Sequence, residues 1–333
     1  MNRALLLFVC AAILFSCDED KEQKCQYAEG MEMTVDFKSL EDSIQLIQTK
    51  KQLVDFFSRH VALRDIFFAR RSYPSDSAFV NILFKKFSHP AFDTLLMETK
   101  KVFGDGSNLK EEFRLAFANM KYYYPGFQPP RVETVITGLE SDLFVSDTLI
   151  IVGLDYYLGK NAKYRPNMYE YIVRKYEKNF IVPSAMLLYG IDPKYNHVDM
   201  NDHTVLADMI SYGKAYYFAK HMIPCFPDSV FIGYSQKEID GAYANKDVIW
   251  KKLIDDEALF STSNQMKQRY VSERPHVPEI GNECPGRIAL WVGWQIVKEY
   301  ASQHSQTPLP DLMKIKDSQK ILRESKYSTL VSQ

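Results

Sequence analysis

The chain reads as an α+β protein: a mostly helical single domain carrying a small antiparallel sheet. Apolar residues recur at three- and four-residue spacing between 37 and 87, with Ile44, Ile47, Leu53, Phe56, Phe57, Leu63, Ile66 and Phe67 on the stripe. Two later stretches, RVETVITGL (131–139) and TLIIVGLDYYLG (148–159), are rich in β-branched residues and joined by a short polar segment. They predict an antiparallel pair. Strong helical patterns return at 203–222 and 284–304. Few strands among many helices give the α+β class.

The first seventeen residues, MNRALLLFVCAAILFSC, place Arg3 ahead of an apolar run from Ala4 to Phe15. The run is shorter than the about 20 residues a spanning helix needs, and it fits a secretory signal. Its end, Leu14-Phe15-Ser16-Cys17, has the form of a bacterial lipobox, in which the cysteine thiol is acylated and the signal is cut before it. At about 0.8 kcal/mol per buried CH₂, two or three acyl chains anchor a protein stably without a spanning helix. The polar segment DEDKEQKCQYAEG that follows has too little apolar surface to fold and reads as a tether. The expected division is signal 1–16, lipidated tether 17–30 and one globular domain 31–330. Once Cys10 leaves and Cys17 is lipidated, Cys25, Cys225 and Cys284 remain. In an oxidising compartment Cys225–Cys284 is one of three open pairings.

Along the body, a helix over 91–103 stops at FGDG, a turn that lacks the lysine and spacing of a phosphate loop. Further helices are predicted over 108–120, near 169–178 and over 236–255. In the 284–304 segment Pro285 suits a first helical turn, and Gly286, Ala289 and Gly293 make a small-residue stripe that permits close packing. Lysine plus arginine (41) nearly balance aspartate plus glutamate (42), and no basic arm or stacking motif is present, which argues against a nucleic-acid partner.

The segment LADMISYGK (206–214) lies on the frame of a zinc-protease helix without its ligands. On H-E-x-x-H, residues 207–211 read Ala207, Asp208, Met209, Ile210 and Ser211. Zinc chemistry needs two imidazoles one turn apart and a glutamate to activate the bound water. Ala207 offers no lone pair and Ser211 is a poor neutral ligand. No catalytic residue, metal ligand or cofactor is expected there. His197, Asp199, Asp202 and His203 precede this helix; as a reading, Asn201 or Asp202 caps it and the acidic charge favours its positive end. GYSQ (233–236) lacks the second glycine of a nucleophile elbow. Asp255 and Asp256, adjacent on a helix, point apart, and Asp155 at a strand end is read as ordering a loop. The degenerate cleft is expected to gather Asp208, Tyr212, Lys214, Glu283 and Arg287, with Arg287 or Lys214 as the ion-pair partner of Asp208.

The blocks KYYYP, VETVITGL, LIIVGLDYYLG, DMISYGKAYYFAKHMIP, IGYSQKEID, VIWKKLIDDEALFST, NECPGRIALWVGWQIVKEY and ILRESKY stand in an order that resembles the GldB gliding-motility lipoproteins of Bacteroidetes. They cover roughly residues 120–328. That family in turn is distantly similar to zincin-type peptidases, so the resemblance implies a zincin-like helix pair with its metal site degenerate. It also implies a non-catalytic, lipid-anchored envelope protein, at the outer membrane, that meets other envelope and gliding proteins or the type IX secretion machinery. Acidic residues after the lipidated cysteine resemble surface-export signals, while Asp18 equally resembles a retention signal, so the facing stays open. A module binding peptidoglycan, glycan or peptide, and a hydrolase with rearranged metal ligands, are the alternatives.

Overall fold

A computed structural model describes residues 27–331 except 29; the signal, Cys17 and most of the tether lie outside the described residues. After a short strand β1 (Phe37–Ser39) come α1 (Glu41–Gln45), α2 (Lys50–Arg59), α3 (Asp76–Phe87), α4 (Pro90–Phe103) and α5 (Ser107–Tyr123). Strands β2 (Arg131–Val135), β3 (Leu143–Val145) and β4 (Leu149–Gly153) follow. Then come α6 (Glu170–Val173), α7 (Ile181–Ile191), α8 (Val205–Met222), α9 (Asp228–Ile232), α10 (Gln236–Ala244), α11 (Lys246–Asp255) and α12 (Asn264–Tyr270). A two-stranded antiparallel ribbon of β5 (His276–Val277) and β6 (Gly281–Pro285) precedes α13 (Ile288–Gln303), α14 (Leu309–Met313), α15 (Ser318–Ser325) and α16 (Tyr327–Val331). The α+β class with small sheets is therefore as the pattern predicted.

The pairing within the larger sheet is not. Its order is β1-β2-β4-β3, and β2 runs parallel to β4, with Val132 opposite Ile150 and Thr134 opposite Val152. The physical reason lies in the loop: β3 pairs antiparallel with β4 as a hairpin on the outer edge, so β4 returns beside β2 in the same direction. Both faces of β2 and β4 are covered, which explains their nearly continuous apolar runs. Val132, Ile150 and Val152 point to one core, with Phe113, Phe117 and the helices α7, α8 and α13. Val135, Leu149 and Ile151 point to the other, a phenylalanine-rich layer built by α1–α4 from Phe56, Phe57, Phe79 and Phe87. Asp155, immediately beyond β4, orders the loop as read: its buried carboxylate accepts from the Thr137 amide at 3.0 Å and the Leu139 amide at 2.6 Å. Burial pushes that carboxyl up, and these same hydrogen bonds pull it back.

Two other expectations are corrected. Pro285 ends β6 rather than opening a helix, and α13 starts only at Ile288. Between them Arg287 adopts a left-handed φ of 59°, and a Cβ on Gly286 would run into the backbone of Arg274. The predicted 236–255 helix is two helices, broken at Asn245. Cys284 is a free thiol while Cys225 is disulfide-bonded, so the Cys225–Cys284 pairing is not formed. Cys284 sits half-buried on β6, and burial pushes its thiol up to about 12, which makes it a poor nucleophile.

Helices α8 and α13 form the centre of the larger core and are apolar nearly all round, as buried helices are. They cross where glycine faces glycine. A Cβ on Gly293 would collide with the Met209 carbonyl, and one on Gly213 would collide with the Gly293 carbonyl. On the other side of α8, a Cβ on Gly190 of α7 would lie 2.7 Å from the Ala215 carbonyl oxygen. Backbones in such contact cannot admit a methyl group without moving a helix. Gly293→Ala is accordingly expected to destabilise by more than about 2 kcal/mol, at the upper part of the range for overpacking. Gly241→Ala, at a helical position where an added Cβ meets nothing within 4 Å, is expected to be neutral or to stabilise by about 0.5–1 kcal/mol. Urea unfolding of the pair checks both, and equal stabilities would refute the glycine crossing.

Candidate functional site

The first turn of α8 carries the positions where a zinc helix would hold its ligands. Thr204 is the N-cap, its Oγ1 accepting from the Ala207 amide at 3.1 Å. The expected caps, Asn201 and Asp202, do not serve directly. Asp202 instead holds the cap, its Oδ1 accepting from the Thr204 hydroxyl at 2.6 Å and its Oδ2 from the Ser318 hydroxyl at 2.8 Å. Burial raises the Asp202 carboxyl, but the donors of Thr204 and Ser318 prevail and hold it below the usual carboxylate range.

Ala207, Asp208 and Ser211 line a cavity of about 170 Å³, together with Asp199, His203 and Lys316. The wall behind them is Lys214, which is 1% exposed. Its ammonium donates to three carbonyls: His197 at 2.6 Å, Ile315 at 2.8 Å and Met313 at 3.2 Å. Two of those carbonyls lie at the C-terminal end of α14, where a cation also meets the negative end of the helix. Burial lowers the Lys214 pKa to about 7. Neither Lys214 nor Arg287 is the partner of Asp208, contrary to the sequence expectation. Asp208 pairs with Lys267 of α12 at 2.8 Å, with both side chains a quarter to a third exposed. The chain geometry explains the substitution: Lys214 is drawn one turn and a half along α8 into the carbonyl cage, out of reach of a carboxylate.

The remaining cleft residues separate. Tyr212 faces a second cluster with Arg287, Tyr216 and Tyr234. There the Arg287 guanidinium donates to the Ile232 carbonyl and lies 3.2 Å from Glu273, and the Tyr234 hydroxyl donates to the Gly286 carbonyl at 2.6 Å. Lys175 shares Glu273 with Arg287; burial first, then the Arg287 charge, lowers its pKa to about 8. Glu283 stands apart on β6, over four-fifths exposed and paired with Lys237 at 2.6 Å. So the structure brings Asp208 and Lys214 to one cavity and Tyr212 and Arg287 to another cluster, and it leaves Glu283 at the surface. Among the described residues no three His, Cys, Asp or Glu side chains are placed to hold a metal ion. Sequence reasoning missed Thr204, Lys267 and Ser318. A threonine directly ahead of an apolar helical run was the one available signal; nothing local marks the other two.

The sequence, matched over most of its length, puts the chain in a class of envelope proteins related to gliding motility. A family model described as Gliding motility protein GldB matches residues 20–329, and the chain belongs to that family. Comparison with curated proteins gives no match, and comparison with solved structures gives none either. Among the described residues no helix is long and apolar enough to cross a membrane.

Two substitutions separate the roles at this site. Asp208→Asn breaks a partly exposed pair and is expected to cost no more than about 1 kcal/mol. Lys214→Met strands three carbonyl acceptors and is expected to cost about 1–3 kcal/mol. The sign of the pH dependence follows from the Lys214 shift, since its folded pKa near 7 lies below the ordinary lysine value of 10.5. The unfolded chain then binds the extra proton, and wild-type stability rises with pH through that window. The deficit of Lys214→Met relative to wild type therefore widens from pH 7 to pH 10, and thermal melts at both pH values measure it.

Proposed function

We propose that this chain is a lipid-anchored, non-catalytic lipoprotein of the cell envelope. In this reading it hangs from the outer membrane by acyl chains on Cys17, and the body from 31 to 330 folds as one unit whose two cores share β2 and β4. It acts in gliding motility or type IX secretion through contacts with other envelope proteins. The observation that carries the non-catalytic part is the state of the α8 frame. Its three most enclosed charged groups are engaged in holding the fold: Asp208 by Lys267, Asp202 by Thr204 and Ser318, and Lys214 by three carbonyls. A general base or a nucleophile needs an unspent lone pair facing substrate, and a metal needs converging donors.

A second reading, a binding module for glycan or peptide, draws support from exposed aromatics. Tyr122 is 58% and Tyr169 74% exposed, and Tyr169 stacks on Tyr171 with ring centroids 5.8 Å apart. The other tyrosines of the same stretches are packed: Tyr157 is buried, and Tyr124 meets Tyr195 edge-on. Surface rings of this kind suit an adhesive role on the same scaffold, so the two readings are compatible.

Complementation of a strain lacking the protein tests the main reading. Asp208→Asn and Ser211→Ala are expected to restore colony spreading and growth to the wild-type level, whereas Cys17→Ser is expected to leave the membrane fraction and fail. Loss of function in a normally folded, membrane-bound Ser211→Ala protein would show chemistry at α8 and sink the non-catalytic reading. Metal analysis of protein purified without chelator adds an independent check, with less than about a tenth of an equivalent of zinc expected in the absence of a ligand set.

A further inference from the structure

A second cavity, remote from α8, opens at the carboxyl ends of the parallel strands. It has a volume of about 490 Å³, and Ser39 of β1, Thr134 of β2 and Leu154 beyond β4 line it. After β1 the chain enters the α1–α4 layer, whose core takes in Leu40 and Ile44. After β4 it enters the opposite core through Leu154 and Tyr157. Strands whose continuations part to opposite faces leave a crevice at their ends, which is where open parallel sheets bind ligands.

Glu41 lines this crevice. It is 6% exposed, its Oε2 accepts from the Ser39 hydroxyl, and its Oε1 has no hydrogen-bond partner among the described residues. A carboxylate oxygen buried without a donor is costly, and native folds keep one where something outside the fold satisfies it. The surrounding charge states what is missing. Asp42 and Asp105 also line the cavity, and the lining cation Lys100 is held by Asp42 at 2.6 Å. Asp105 sits in the FGDG turn, where Gly104 and Gly106 take φ of 60° and 79°. Its Oδ1 accepts from the Ser107 amide at 2.9 Å, and the Ser107 hydroxyl also bonds the carboxylate. Three acids against one engaged lysine leave the site short of positive charge and of N–H donors. Among the described residues no three His, Cys, Asp or Glu side chains are placed to hold a metal ion, whereas an ammonium supplies both the charge and the N–H donors. Phe103 and Leu154 supply apolar wall, and the volume falls within the about 300–1,000 Å³ of small-molecule sites.

We propose that this crevice binds a primary ammonium carried on a short aliphatic chain, with Glu41 Oε1 accepting from the ammonium, Asp105 adding charge and Phe103 and Leu154 covering the chain. This site is independent of the α8 frame and of the scaffold role.

Calorimetric titration and thermal melts of the full chain in detergent micelles test it, with n-pentylamine and 1,5-diaminopentane as probes and pentanoate and calcium as controls. The amines are expected to bind with one-to-one stoichiometry and to raise the melting temperature, while pentanoate and calcium do neither. Glu41→Gln is expected to weaken amine binding at least about tenfold, without lowering the melting temperature of the ligand-free protein. Asp105→Asn, at an exposed turn, is expected to weaken binding with the fold intact, and Asp208→Asn to leave binding unchanged. Absence of amine binding at millimolar concentration, binding that survives Glu41→Gln, or calcium binding in the amine's place would each overturn the proposal. A ligand-free Glu41→Gln protein that melts well below wild type would overturn it too, since Glu41 would then be satisfied within the fold.

Discussion

The crossing of α8 and α13 is the constraint on which the rest of the structure depends. With Gly213 against the Gly293 carbonyl and Gly293 against the Met209 carbonyl, the two helices meet backbone to backbone. Interiors packed at crystal-like density do not absorb an added methyl, so the crossing point fixes both helices along their length. Because α7 approaches α8 through Gly190, the same logic extends to a third helix. Tyr216, Trp291 and Trp294 then fill the space beside the crossing, and each is 0% or 1% exposed. The bulky rings can be placed there only because the glycines set the helix separation.

That rigidity decides what the α8 frame can do. A helix held so closely presents its first turn at one fixed position, which would suit a metal site if ligands were present. Here the same positions carry Ala207, Asp208 and Ser211, and the neighbouring charges are spent on structure. Lys214 is the extreme case, a lysine enclosed by carbonyls rather than paired with a carboxylate. It ties the 197 loop and the end of α14 to α8, joining chain segments about a hundred residues apart.

The two cavities differ in the kind of polar group they expose. Around α8 the charged groups Asp202, Asp208 and Lys214 have partners, and the cavity is small. At the strand ends a buried Glu41 oxygen has none, and the cavity is nearly three times larger.

Much was legible in the sequence. The helices over 91–103, 108–120 and 203–222 follow from apolar periodicity and recur in the structure with ends shifted by a few residues. The family was readable from ordered blocks. Tertiary structure decided the rest. Whether β2 and β4 run parallel depended on β3 turning to the outer edge, which residues 131–159 do not state. Asp208 met Lys267 rather than Lys214 because two helices distant in sequence were brought side by side, and Cys284 stayed unpaired although it was one of the thiols available. Periodicity records which face of an element is buried; it does not record which partner waits there. That choice is made by close approach in three dimensions, and here the glycines of α8 and α13 set the distance.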